Sequence, residues 1–379
     1  MADKRLVNQK LLNCGYTTGT CAAAAAKASA EMLFSKELMD SVSITTPNQT
    51  KLTLDVLNPQ FNDKTASCSI EKDSGDDPDI TNGILVSAEL TLVFDSQDII
   101  IEGGKGVGRV TKPGLDQPVG ESAINSVPRK MIKDSLNSLA KENDYDGGFH
   151  VLISVPKGEE ITKKTFNPEL GIVDGISILG TTGIVEPMSA KALADSIKLE
   201  INMISAENNE SILIFLGNFG KKFTIEDLNL STNPGIMCSN FIDVALDSSV
   251  EYGFKKILLI GHIGKFVKLG IGMFNTHSNN GDGRIETLLS CALEAGANLD
   301  ILKEIQNCVT TSAVLDILWE NDLLNKTMVI LKNRIEHNIN KRIPPEIEVG
   351  FICFINTGDY SGILFESENA SNLKEIWSK

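Results

Sequence analysis

The chain is short of the features that would fix its chemistry at a glance. No apolar run approaches the roughly 18–20 residues needed to cross a bilayer. Met1-Ala2-Asp3-Lys4-Arg5 leads into polar residues rather than a signal-peptide core. The seven cysteines, an odd and scattered set, do not make a disulfide framework in a chain this long, and they contain no Cys-x-x-Cys pair and no zinc-like spacing, so a reducing cytoplasm is expected. Positive charge is scarce: 35 Lys and Arg against 50 Asp and Glu leave a net −15 and a pI near 4.8. That balance argues against nucleic acid and against an anionic membrane surface. Only four histidines are present, and there is no Gly-x-Ser-x-Gly elbow, kinase set or His-Glu-x-x-His. Internal repeats and low-complexity tails are absent too.

What is present divides in two. Thr17, Thr18 or Thr20 can cap a helix through the five alanines from Ala22 to Ala26. Period-two segments follow near 42–46, 51–57, 65–72, 84–94 and 98–101, then a helix over about 122–141 with Pro128 as a kink or a first-turn residue. This reads as an α+β domain over 1–147, ending near Gly147-Gly148. The second half alternates strands at 149–155, 211–216, 256–261 and 347–355 with helices at 189–206, 238–253, 284–296, 299–307, 311–320 and 322–337. Such alternation predicts an α/β (Rossmann-like, mostly parallel sheet) domain over 148–379.

Ligands of open α/β sheets sit beyond the carboxyl ends of the strands. The apolar run Ile257–Ile260 stops at Gly261-His262-Ile263-Gly264-Lys265, and no acid occurs from Lys255 through Ser278, a stretch that also holds Lys268 and His277. A basic, glycine-punctuated strand exit in an acidic chain suits an anion. Gly103-Gly104-Lys105-Gly106-Val107-Gly108-Arg109 lies in a second basic region, where six cations, Lys112 among them, face three acids from Ile101 to Lys133. It is neither a dinucleotide fingerprint nor a Walker A loop, and it reads as an anion cradle or a glycine-rich turn. Glu71–Asp79 is the opposite, net −4 over nine residues; Asp76, Asp77 and Asp79 are read as proton handlers or as a solvated loop. Gly180-Thr181-Thr182-Gly183 and Gly217-Asn218-Phe219-Gly220 each follow an apolar segment and can meet a carboxylate or ribose, or simply turn the chain. Ser239 is expected to cap the helix after Cys238, a cysteine with no evident base.

Taken together these motifs resemble the CbiD family, the cobalt-precorrin-5B C1-methyltransferases of anaerobic cobalamin (vitamin B12) synthesis. The resemblance rests on Tyr16–Thr20, Gly75–Asp79, Gly103–Gly108 with Thr111–Leu115, Val127–Arg129 and Lys164–Pro168, in that order. It continues through Gly175–Ser189, Cys238–Phe241, Gly261–Lys265, Asn275–Ser278 and Asp282–Arg284. It implies a CbiD-like two-domain fold and transfer of a methyl group from S-adenosylmethionine to C1 of a cobalt-containing macrocycle. The products are cobalt-precorrin-6A and S-adenosylhomocysteine. Cobalt would enter only inside the tetrapyrrole substrate, with no metal of the protein's own.

On this reading Lys105, Arg109, Lys112, Lys265 and His277 meet the carboxylates of the macrocycle, held in a cleft between the domains. Thr181, Thr182, Gly183, Gly217, Asn218 and Gly261 hold the methyl donor, and Asp76, Asp77 and His262 handle protons or place the sulfonium. No membrane or nucleic-acid partner is expected, and monomer or homo-oligomer is left open. The alternatives from glycine loops and composition alone are a nucleotide-dependent phosphotransferase and a non-catalytic tetrapyrrole carrier.

Overall fold

An alanine helix can be buried on every side because its side chains demand so little room. The hydroxyl of Thr17 accepts from Thr20 N and starts α1 (Thr18–Ser35), in which Ala22–Ala26, Ala28 and Ala30 are fully buried. The helix packs on the middle strands of a sheet and against α2. That sheet contains β1 (Leu57–Phe61), β2 (Thr65–Glu71), β3 (Leu85–Val93) and β4 (Ile99–Gly103), followed in the chain by α2 (Ser126–Glu142) and β5 (Gly148–Ser154). Its order is β1-β2-β3-β5-β4, antiparallel except where β5 lies beside β4. Alternate residues (Ala66, Cys68 and Ile70; Val86, Ala88 and Leu90; Val151 and Ile153) enter the core. Pro128 sits in the first turn of α2, where its missing N–H leaves no helix bond unmade. The computed structural model describes residues 4–7, 9–165 and 167–378; Met1, Ala2, Asp3 and the Phe166 of the Lys164–Pro168 motif lie outside the described residues.

The chain divides into two compact units, up to Ala190 and from Lys191 onward. This moves the boundary expected after residue 147. β5 was expected to open the second domain, yet it pairs along its full length with β3 and completes the first sheet. Residues 155–190 follow it there: Gly175–Ile176 pairs with Gly106–Val107, and Ile184–Val185 with Gly15–Tyr16.

The second unit alternates as its apolar pattern predicts. It runs α3 (Ala190–Glu207), β6 (Ser211–Phe215), α4 (Asn218–Glu226), β7 (Gly235–Met237), α5 (Ile242–Glu251), β8 (Lys256–His262) and α6 (Ile263–Leu269). After α7 (Arg284–Glu294), α8 (Leu299–Gln306), α9 (Thr311–Glu320) and α10 (Leu324–Arg342) come β9 (Glu348–Ile355) and β10 (Gly362–Glu366). The sheet order is β7-β6-β8-β9-β10, parallel except for the last strand. Both faces are buried: Ile212 and Ile214 enter one core while Leu213 and Phe215 enter the other. A strand covered twice has no polar face, hence its continuous apolar run.

Candidate functional site

Numbered along the chain, the strands of the second sheet stand in the order 2-1-3-4-5. The direction of winding reverses between β6 and β8, and a crevice opens beyond the carboxyl ends of such a pair. Three segments line it. After β6, Gly217 adopts φ 110°, where only glycine is at ease, and a Cβ placed on it would meet nothing but the Lys265 side chain, with Nζ 3.1 Å away. After β7, Ser239 holds φ 52° and turns its carbonyl to accept from Lys265 Nζ at 2.8 Å. After β8, His262 caps α6, its Nδ1 accepting from Gly264 N at 3.2 Å.

That bond places the ring proton of a neutral His262 on Nε2, and burial pushes its pKa below the ordinary value. Burial likewise lowers Lys265, whose ammonium keeps two N–H groups beyond the one given to Ser239. Phe219 stands 65% exposed on the α4 lip, its ring 6.2 Å from that of His262, and Met237 is 43% exposed at the end of β7. The crevice thus offers a half-buried cation lying over a bare glycine, with apolar surface beside them. Gly217, Asn218, Gly261, His262 and Lys265 are brought together here. Lys265, expected among the residues that meet the macrocycle, overhangs Gly217.

Other expected residues are engaged by the protein itself. His277 lies in a separate turn, where Nδ1 accepts from Asn279 N at 3.1 Å. Lys268 is buried and donates to the carbonyls of Thr276 and Gly281, holding that turn in place. Cys238 is buried too, its thiol pushed up to about 12 by desolvation, which makes it inert. The helix after it starts at Ile242, with no side-chain cap from Ser239.

Gly180–Gly183 is not a loop of the parallel sheet at all: it belongs to the first unit and docks on the start of α1. Gly183 O accepts from Thr17 N (3.1 Å) and from Thr20 Oγ1 (2.7 Å), Thr182 O accepts from Asn48 N, and Thr182 Oγ1 donates to Ile184 O.

The glycines of Gly103–Gly108 serve packing in the same way. A Cβ on Gly106 would stand 1.9 Å from Val155 O, and one on Gly175 would stand 2.3 Å from Gly106 O. Lys105 and Arg109 are exposed on either side of this joint, Arg109 donating to Gly120 O, while Lys112 lies over Gly171. Asp76 accepts from the backbone and side chain of Asn13, and Asp77 from Met188 N. Asp79 accepts from Lys72 Nζ at 2.7 Å and from Thr81. Burial pushes the Asp79 carboxyl up, but these bonds outweigh it and hold the group below its usual value. Among the described residues no three His, Cys, Asp or Glu side chains gather as a metal site.

Comparison with known proteins fits these motifs. The CbiD family model matches residues 5–187, and the model described as CbiD, C-terminal domain, matches residues 275–367. A Ruminiclostridium cellulolyticum protein named cobalt-precorrin-5B C(1)-methyltransferase is 45% identical, with 92% of this chain and 90% of that one covered. A Listeria welshimeri protein of the same name is 39% identical over the whole of both chains. The chain belongs to the CbiD family. A solved structure, titled as the cobalamin biosynthesis protein cbiD from Archaeoglobus fulgidus, shares 29% identity over 73% of this chain and 86% of that one, with a TM-score of 0.40.

Within this CbiD-family chain the residue that sequence reasoning missed is Lys72. It stands inside the acidic run, yet its side chain is only 3% exposed. With Asp79 it lines a cavity of about 170 Å³ whose other walls include Thr17, Thr18, Asn167 and Ser177. The signal was a lone lysine following the alternating apolar residues of β2, which points inward by period two.

Proposed function

We propose that this chain is a cobalt-precorrin-5B C1-methyltransferase that uses S-adenosylmethionine. The observation that carries the reading is family membership at 45% identity over 92% of the chain, with relatives bearing that name. The 2-1-3-4-5 strand order supports a Rossmann-like second unit, and the crevice between β6 and β8 is the donor site. Its residues fit such a ligand: the Lys265 ammonium, lying over a Gly217 that carries no side chain, takes a carboxylate, and exposed Phe219 suits the flat face of a base.

Once bound, the donor supplies a methyl group activated by its positive sulfonium. With the donor bound, an electron-rich ring carbon would take the methyl as the sulfur–methyl bond breaks and S-adenosylhomocysteine leaves, so the protein's task is alignment and electrostatics. Lys265 fixes one end of the donor, and His262 acts chiefly by capping α6 and keeping Lys265 in place. Exposed Lys105, Arg109 and Lys112 attract a substrate rich in carboxylates despite the net negative charge, because local charge dominates within a Debye length. Asp76 and Asp77 shape the loop that carries Asp79.

Labelled methyl transfer to cobalt-precorrin-5B is the direct test, paired with calorimetry of S-adenosylhomocysteine. The reading expects turnover and binding of S-adenosylhomocysteine but not of magnesium–ATP. Binding of macrocycle with no transfer of label indicates a carrier. Binding of magnesium–ATP alone indicates a phosphotransferase.

A further inference from the structure

The 170 Å³ cavity of the first unit has no part in the donor crevice, and four of the family-marking segments meet at it. Thr17 and Thr18 come from the start of α1, Asp79 from the acidic loop, Thr165 and Asn167 from the Lys164–Pro168 segment, and Ser177 and Leu179 from the stretch before Gly180.

Most polar groups around the cavity are already paired. Thr18 Oγ1 bonds with the carbonyls of Ser177 and Leu179 and with Leu179 N, Thr165 Oγ1 donates to Thr162 O, and Asp79 is saturated by Lys72, Ser74 and Thr81. Two donors remain. Lys72, an ammonium with three N–H groups, gives one to Ser74 Oγ and one to Asp79 Oδ2. Ser177 is 7% exposed, and its hydroxyl has no partner among the described residues. That hydroxyl opens onto the cavity, where a ligand oxygen can meet it. Ile176, Leu179 and Val185 supply apolar wall between these donors.

The geometry points to a second binding site here, which takes the carboxylate of a short aliphatic arm: oxygens on Lys72 Nζ and Ser177 Oγ, methylenes against Ile176, Leu179 and Val185. The size excludes a whole macrocycle and admits an arm of acetate or propionate length. The strand that carries part of the cavity wall pairs with the segment between the exposed cations. Ile176 pairs with Val107 and its carbonyl accepts from Gly108 N, so Lys105 and Arg109 flank the strand against which the wall is built. One arm of a polycarboxylate ring enters the cavity while others meet the exposed Lys105 and Arg109. This rests on the methyltransferase reading, since that reading supplies a ring bearing such arms.

The test is optical titration with cobyrinic acid, a cobalt corrinoid that carries acetate and propionate arms. Ser177→Ala removes the free hydroxyl without filling the space, and Ser177→Leu fills it. Weakening by about tenfold is expected for the first, as for a lost hydrogen bond to a charged group, and loss of detectable binding for the second. S-adenosylhomocysteine affinity, reporting on the other unit, stays unchanged in both. Ser177→Ala also guards against misfolding of the bulkier variant, which a thermal melt reveals. If both variants fold and bind cobyrinic acid like the unaltered protein, the cavity is not the site. If the unaltered protein binds neither cobyrinic acid nor S-adenosylhomocysteine, the methyltransferase reading itself has failed.

Discussion

Gly103–Gly108 of the first unit and Gly217–Gly220 of the other unit are much alike as sequence, short glycine-rich segments after apolar residues, but the structure uses them in opposite ways. In the first, the place of each missing side chain is taken by the protein: Gly106 lies against Val155 O, Gly108 against the Ile172 side chain, Gly103 against Ser122. In the other, Gly220 closes onto Ile260 O, whereas Gly217 faces only the tip of Lys265. Glycine density says that something must come close. Whether that is the chain's own backbone or a ligand depends on what fills the Cβ position.

Substitution separates the two most sharply. Gly106→Ala combines a left-handed φ of 73° with a contact of 1.9 Å to backbone, so it should destabilise by roughly 3 kcal/mol or more, visible as loss of the first unit in a thermal melt. Gly217→Ala meets strain from φ 110° and a 3.1 Å contact with the movable tip of Lys265, together roughly 1–2 kcal/mol, and should fold while binding the donor poorly. Equal damage from both would erase the distinction.

Next in size is Lys265→Met, which should weaken S-adenosylhomocysteine by about 1.5–3 kcal/mol, the worth of a hydrogen bond to a charged group. Calorimetry should find 5′-methylthioadenosine, which lacks the carboxylate, bound equally by the variant and the unaltered protein. A loss shared by both ligands would mean that Lys265 supports the crevice without touching the carboxylate.

A smaller effect concerns pH. Burial lowers the pKa of folded His262 below its ordinary 6.5, so between those two values the unfolded chain binds a proton that the folded chain does not. Stability therefore falls as pH drops through that window and is flat above it. His262→Asn keeps a capping acceptor but does not titrate. Denaturant melts should show the variant gaining on the unaltered protein only below about pH 6.5. The smallest change is expected from Asp77→Asn, which keeps an oxygen for Met188 N and should leave single-turnover rates nearly unaltered. A large fall would return Asp77 to the chemistry.

Strands buried on both faces were the most legible part of the sequence. Leu213 to Phe215 and Ile257 to Ile260 are continuous because two cores claim alternate residues. The unit boundary was not legible, because Gly147-Gly148 looks like a linker. Both glycines are in fact tight entries to β5, where added side chains would strike Val93 O and Asp98 O. The crevice at β6 and β8 could be read from a strand ending in glycine, histidine and lysine. The docking of Thr181–Gly183 onto α1 could not, since no local pattern shows that Gly183 O receives Thr17 N and Thr20 Oγ1. Nor could the engagement of both nearby histidines as Nδ1 caps, which depends on backbone angles that side-chain identity does not set.

Hydrogen–deuterium exchange with and without S-adenosylhomocysteine tests the central claim, that the donor binds where the second sheet reverses. Protection is expected in 216–219, 238–240 and 261–265, with 103–109 and 180–183 unchanged. Protection confined to residues before 190 would contradict the account and move the donor into the first unit.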